Sequence, residues 1–144
     1  MDASGGPAGR AAIMDPTVRT TRWLAARDDS DFAPYLAEAP PGTVELFRRF
    51  VAMARDCGPV SFELQRGRIV LCGSRRIFAS VRPGRRGLSG HLNLLERVGD
   101  PRIVRVEPLT KRIFFHTYQI RSMSELNEGF RRWLCAARAV GEGT

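Results

Sequence analysis

The chain has 144 residues, with 23 Lys+Arg against 15 Asp+Glu and a formal net charge of +8. Its length suits one domain and its hydrophobic fraction of 43% can bury a core, which excludes a mostly disordered chain and a long multidomain enzyme. The aliphatic runs are as short as Ile69-Val70-Leu71-Cys72, far below the roughly 20 residues of a membrane span, and Met1 to Pro7 lacks the pattern of a secretory signal. A cytoplasmic location with no membrane partner is therefore expected.

Residues 1–14 are Gly/Ala-rich without a period and read as a disordered tail. Residues 15–42 read as an N-terminal helical extension. Asp15 is its N-cap, Pro16 takes the first helical position, and the helix runs through Trp23 and Leu24 to about Ala26. Asp28-Asp29-Ser30-Asp31 breaks it, and Phe32, Tyr35 and Leu36 form one more turn before Pro40-Pro41-Gly42.

Residues 43–141 read as a single α+β domain. Thr43 is the expected N-cap of a helix over 44–57, where Val44, Phe47, Val51 and Ala54 share one spacing and Leu46, Phe50, Met53 and Cys57 another. Gly58-Pro59 stops it, and the period then changes to two. Val60, Phe62 and Leu64 alternate with polar residues, Arg66-Gly67 turns, Arg68 to Cys72 is a strand, and Gly73-Ser74 turns again. Ile77, Ala79 and Val81 alternate with Arg76, Phe78, Ser80 and Arg82. After the Pro83 to Gly87 loop, Leu88, Gly90, Leu92 and Leu94 alternate with Ser89, His91 and Asn93. Strands follow at 102–107 and 113–120, and Ser122 with Glu125 forms a capping box that opens a last helix over 123–139. Short links imply antiparallel pairing. The expected fold is an antiparallel sheet of five or six strands with the two main helices packed on one face. Trp23 and Trp133 read as core anchors.

Cys57, Cys72 and Cys135 are odd in number and show no CxxC or Cys/His ligand spacing. All three read as reduced thiols, and neither a metal nor another cofactor is expected. Of the 23 basic residues only Lys111 is a lysine. Codon bias explains that ratio, and selection for bidentate contacts to phosphate or carboxylate would also produce it. Position says more than number. Residues 60–121 carry a net charge of +9, whereas 1–59 carry −1 and 122–144 carry 0.

Several spaced motifs then stand out. They are Arg68-Ile69, Ile77 to Pro83, Gly90-His91-Leu92, Asp100-Pro101-Arg102, Arg105-Val106-Glu107, His116 with Arg121-Ser122, Glu125-Leu126, Trp133-Leu134 and Val140-Gly141. Together, over about residues 43–141, they resemble a bacterial family of domains of unknown function, family 5655. The resemblance implies a compact α+β domain and no assigned activity. Members of that family often carry a Cys-rich, zinc-ribbon-like segment ahead of the domain, but Trp23 to Ala39 holds no cysteine or histidine. The family also tends to pair histidines in the late strand, where this chain has Phe115-His116.

The polar face of the central hairpin should carry Arg76, Phe78, Ser80, Arg82, Ser89, His91 and Asn93, with Arg85 and Arg86 on its loop. An aromatic ring among guanidinium groups can stack bases and hold phosphates, or the same groups can cradle a small anionic ligand. An ordinary solvated face, with Phe78 under a neighbouring side chain, is the competing reading. His91 is expected on the polar face. His116 reads either as a hydrogen-bonded core residue or, with His91, as an acid/base group lining one cleft. Nothing matches a nucleophile elbow, a P-loop or a dinucleotide fingerprint. The leading expectation is a non-catalytic binding module for nucleic acid or a phosphorylated ligand. The alternatives are a small enzyme or ligand-binding domain using His91 and His116, and a protein-interaction or homodimerisation domain.

Overall fold

The computed structural model describes residues 24–143. The expected tail over 1–14, most of the helix from Asp15, and Trp23 lie outside the described residues. Where that helix was expected to end, the chain is instead a two-residue strand, β1 (Leu24–Ala25), paired antiparallel with the strand that begins at Ser61. A 3-10 turn over Asp29–Phe32 leads into α1 (Ala33–Leu36), close to the short turn read from Phe32, Tyr35 and Leu36. Its cap is Asp28, whose carboxylate accepts from the Ser30 N–H.

Helix α2 spans Pro41–Asp56 and starts earlier than the sequence suggested. Pro40 is its N-cap and Pro41 its first residue, because proline's fixed φ and missing N–H suit that position. Thr43 therefore sits inside the first turn, and its hydroxyl donates to the Gly84 carbonyl at 2.8 Å.

The strands are β2 (Ser61–Gln65), β3 (Arg68–Cys72), β4 (Ile77–Gly84), β5 (Gly87–Leu94), β6 (Ile103–Pro108) and β7 (Phe114–Ile120). With β1 they form one antiparallel sheet ordered β1-β2-β3-β4-β5-β7-β6. The fold is α+β, with six substantial strands plus the short edge pair of β1. Consecutive strands are neighbours until β5, where β7 inserts and pushes β6 to the edge.

The capping box at Ser122 and Glu125 is present, but it opens only a 3-10 turn over Met123–Glu125. Leu126 leaves helical geometry, and α3 (Glu128–Gly141) starts afresh with Asn127 as its cap, accepting from the Phe130 N–H. Helices α2 and α3 pack on one sheet face over Ile69, Leu71, Val81, Leu92, Tyr118 and Ile120. Phe50 stacks on Tyr118, and Phe130 meets Tyr118 edge to face at 5.4 Å between ring centres. Each such fully buried side chain contributes roughly 1.5–3 kcal/mol of transfer free energy.

Two expectations are corrected here. Cys57, which caps the end of α2, and Cys135, midway along α3, are not free thiols but form a disulfide. They are 78 residues apart in sequence, and the packing of the two helices brings their Cα atoms to 5.1 Å. Cys72 is a buried thiol outside that disulfide, as expected. Phe78 is the second correction. Cys72 pairs with Ile77 and Leu71 with Ala79, so Phe78 is the extra residue of a β-bulge. The bulge turns its ring to the helix face, where it is 1% exposed and touches Gly141 at the end of α3. Among the described residues no helix is long and apolar enough to cross a membrane.

Candidate functional site

The basic side chains of the central segment do not form one patch on the sheet. Arg76 and Arg85 flank the eight-residue strand β4 at its opposite ends. Arg76 immediately precedes it, beside the last carbonyl of α3, where the Gly141 oxygen accepts from the Arg75 and Arg76 N–H groups. Arg82 donates through Nε to the Gly67 carbonyl at 2.7 Å and faces an open cleft shared with Arg66, Tyr35 and Asp31.

The β4–β5 turn is where arginines gather. Gly84 pairs with Gly87, leaving Arg85 and Arg86 as a two-residue turn at the hairpin tip. Gly87 has φ +128°, and a Cβ there would stand 2.0 Å from the Ile120 carbonyl oxygen. Only glycine lets the end of β7 press so close to the turn. That approach sets Arg121, the residue after β7, beside Arg85 and Arg86. The Arg121 and Ser122 N–H groups both donate to the Glu125 carboxylate, which fixes this stretch of backbone, and the Arg121 guanidinium donates to Gln119 Oε1.

On one side of the three arginines, the first turn of α2 closes a cleft of about 360 Å³ lined by Pro40, Gly42, Thr43 and Glu45. On the other side, Ser89 and Gln119 line a second cleft of about 330 Å³. Thr43, bonded to the Gly84 carbonyl, holds the helix start against the hairpin. Pro40 provides no side-chain cap, so the positive end of α2 also faces this region. Among the described residues none of Arg85, Arg86 and Arg121 is in an ion pair. Such an arrangement can hold phosphate or carboxylate oxygens through charge-assisted hydrogen bonds.

The two histidines do not share a cleft. In the β5–β7 register His91 pairs with Thr117 and Leu92 with His116, so the two rings point to opposite faces of the sheet. His116 is buried. Its Nδ1 donates to the Phe114 carbonyl at 3.0 Å and its Nε2 accepts from the Val98 N–H at 3.0 Å. Burial lowers its pKa, opposed in part by the bond to Phe114. This is the hydrogen-bonded core histidine of the two readings.

His91 lies on the face away from α2 and α3 but is not offered to solvent. Its ring stacks on Phe115 with centres 4.2 Å apart and is 5% exposed. The Ser80 hydroxyl lies 2.7 Å from Nδ1, in hydrogen-bond contact with the ring, and accepts from the His91 backbone N–H. Burial, reinforced by Arg68, pushes the His91 pKa down to about 3, so the ring is neutral near pH 7. Neither Phe78 nor His91 joins the arginines at the hairpin tip. Arg121 was missing from the expected set, because it becomes their neighbour only when β7 inserts beside β5.

Among the described residues no three His, Cys, Asp or Glu side chains group to hold a metal ion. Comparisons with protein-family models, curated proteins and solved structures give no significant match.

Proposed function

We propose that this protein is a binding module for a phosphate-bearing partner, nucleic acid in the first instance, gripped at the tip of the β4–β5 hairpin. The observation that carries this reading is the convergence of Arg85, Arg86 and Arg121 on two adjoining clefts, with Glu45 as the acid in the lining. Three guanidinium groups track a polyanion backbone well, and the absence of an aromatic ring among them argues for phosphate contact over base stacking. Such contact is insensitive to sequence and falls steeply with salt through counterion release. The resemblance to family 5655 assigns no activity, so the reading rests on these residues alone.

The test is binding of a short single-stranded and a short duplex oligonucleotide across a salt series, with wild type and an Arg85→Ala/Arg86→Ala variant. The expected result is weaker binding for the variant on every sequence, with the slope of log K against log[salt] reduced by about 1.5–2. Undetectable binding at low salt, or an unchanged slope, would sink the proposal. A phosphorylated small ligand, which either cleft has room for, would instead compete with the oligonucleotide and show little salt dependence.

A further inference from the structure

The hairpin tip gathers guanidinium groups without an aromatic ring, but a wider cleft nearby has one. This cleft, of about 900 Å³, opens where α1, the β2–β3 turn and the end of β4 meet. Pro34 and Tyr35 come from α1, Arg66 and Gly67 from the turn, and Arg82 and Pro83 from β4. Arg85 follows Arg82 by three residues, at most about 10 Å of extended chain, so one bound strand can lie across both places.

Two features of the cleft point to a nucleotide. The first is a ring held in place. Tyr35 is half-buried, and its hydroxyl donates to the Gln65 carbonyl at 2.6 Å, while Pro34 and Pro83 add rigid apolar walls. A ring already fixed in this way loses little freedom when a base stacks on it.

The second is positive charge without an acid paired to it. Arg68 donates through Nε to Gln65 Oε1 at 3.0 Å, and Arg82 donates through Nε to the Gly67 carbonyl. Both Nε atoms are thus used within the turn, which leaves the terminal nitrogens for a ligand. Burial and the charge of Arg82 push the Arg68 pKa below its ordinary value, as expected of two guanidinium groups held close together. Among the described residues none of Arg66, Arg68 and Arg82 is in an ion pair. A phosphate beside them would relieve that repulsion. Asp31, the acid in the lining, belongs to the turn before α1 and accepts from the Arg27 N–H at 2.7 Å, so its charge steers a phosphate toward the arginines and away from the α1 wall.

We propose that this cleft is a nucleotide subsite that directs the protein to single-stranded nucleic acid: an unstacked base lies on Tyr35 and its phosphate is held by Arg66 and Arg82. The inference rests on the phosphate-binding reading of the hairpin tip and specifies which nucleic acid that tip takes. Duplex phosphates can reach Arg85, Arg86 and Arg121, but a duplex would have to unpair a base to fill the cleft. Stacking on an aromatic face tolerates any base, so the selection is for strandedness and not for sequence.

The experiment is fluorescence anisotropy of the full chain at low salt with three probes of about 12 nucleotides. They are an oligothymidylate, a strand of the same length and charge with every base removed, and a duplex. Wild type should bind the oligothymidylate about tenfold tighter than the abasic strand, and tighter than the duplex. Tyr35→Leu should bring the oligothymidylate down to the level of the abasic strand and leave the other two probes as in wild type. Tyr35→Phe, which keeps the ring, should retain most of the preference. Thermal unfolding checks that Tyr35→Leu is folded, and the comparison of probes on wild type needs no variant. Arg85→Ala/Arg86→Ala should weaken all three probes by a similar factor and keep their order. Equal binding of oligothymidylate and abasic strand by wild type, or a preference that survives in folded Tyr35→Leu, would overturn the subsite. In that event a weakening by Arg85→Ala/Arg86→Ala would leave the hairpin-tip reading standing, whereas a wild type that binds none of the probes would end both.

Discussion

At the scale of single residues, the buried histidines turn acidity into a stability signal. His91 holds a folded pKa of about 3 against the ordinary imidazole value of 6.5, and His116 is also lowered. As pH falls below 6.5 the unfolded chain takes up protons that the folded protein refuses. The stability these residues confer is therefore complete above 6.5 and is lost on acidification toward the folded pKa. His91 contributes about 1 kcal/mol per pH unit between roughly pH 6 and 5, and His116 adds to it in the same direction. The carboxylates with shifted values, Asp28, Asp29, Asp100 and Glu142, are all lowered, so they add the same sign only at lower pH. His91→Gln should flatten the dependence of urea-unfolding free energy on pH in that window by about one histidine's share. An unchanged slope would mean that the ring beside Ser80 and Phe115 is protonated in the folded protein.

Arg102 shows a different use of a charged side chain. It donates to both oxygens of Asp100, to the Glu125 carbonyl and to Asn127, while its guanidinium lies 4.5 Å from the Trp133 ring centre. It thus joins the start of β6 to the turn before α3. A lysine cannot reproduce that planar fork, so Arg102→Lys should cost about 1–3 kcal/mol despite keeping the charge. Chemical denaturation of the variant would measure it, and a loss below about 0.5 kcal/mol would place these bonds among the weak surface pairs.

At the scale of elements, period-two alternation located every strand from β2 to β5 within a residue or two. Their pairing followed from the short turns. What alternation could not carry was an interruption of itself. Phe78 was assigned a face by counting from Arg76, and one extra residue in β4 moves it to the other face. Arg121 was likewise invisible beside Arg85 and Arg86, because nothing local in the sequence announces that β7 lies between β5 and β6. The strand glycines show the same gap. Gly90 was legible as an alternating strand residue, but a Cβ there would stand 2.1 Å from the Ser80 carbonyl oxygen and 2.8 Å from the Tyr118 hydroxyl. That hydroxyl crosses over Gly90 to donate to the same carbonyl at 2.8 Å. Gly90→Ala should therefore destabilise the protein by about 2–4 kcal/mol through overpacking. Adding Tyr118→Phe should not rescue it, because the backbone clash remains. Gly42→Ala, in the first turn of α2 with nothing within 4 Å, should be neutral or slightly stabilising. Equal effects of the two alanines on the thermal midpoint would contradict this packing.

At the scale of the whole molecule, the sheet's core face depends on two helices that are distant in sequence, and their mutual position is locked covalently. The Cys57–Cys135 bond closes a loop of 78 residues, from the end of α2 through every strand from β2 to β7 to the middle of α3. Reading the three cysteines as thiols rested on their odd number and lack of spacing. A pair made by tertiary packing leaves no local trace of that kind. On the chain-entropy account, a loop of this length restricts the unfolded state by about 4 kcal/mol. Reduction, or the Cys57→Ser/Cys135→Ser pair, should lower unfolding stability by about 2–5 kcal/mol, while Cys72→Ser should respond to reductant as wild type does. The bond also bears on compartment, because glutathione keeps most cytoplasmic thiols reduced and a cytoplasmic location was the expectation from composition. Rapid alkylation of the protein in its own cells, followed by mass spectrometry of the peptides bearing Cys57 and Cys135, decides between the two. Unlabelled, linked peptides would set aside the cytoplasmic reading. Fully alkylated thiols would mean that the helices pack in the cell without the covalent tie, with a stability lower by the amount the reductant experiment measures.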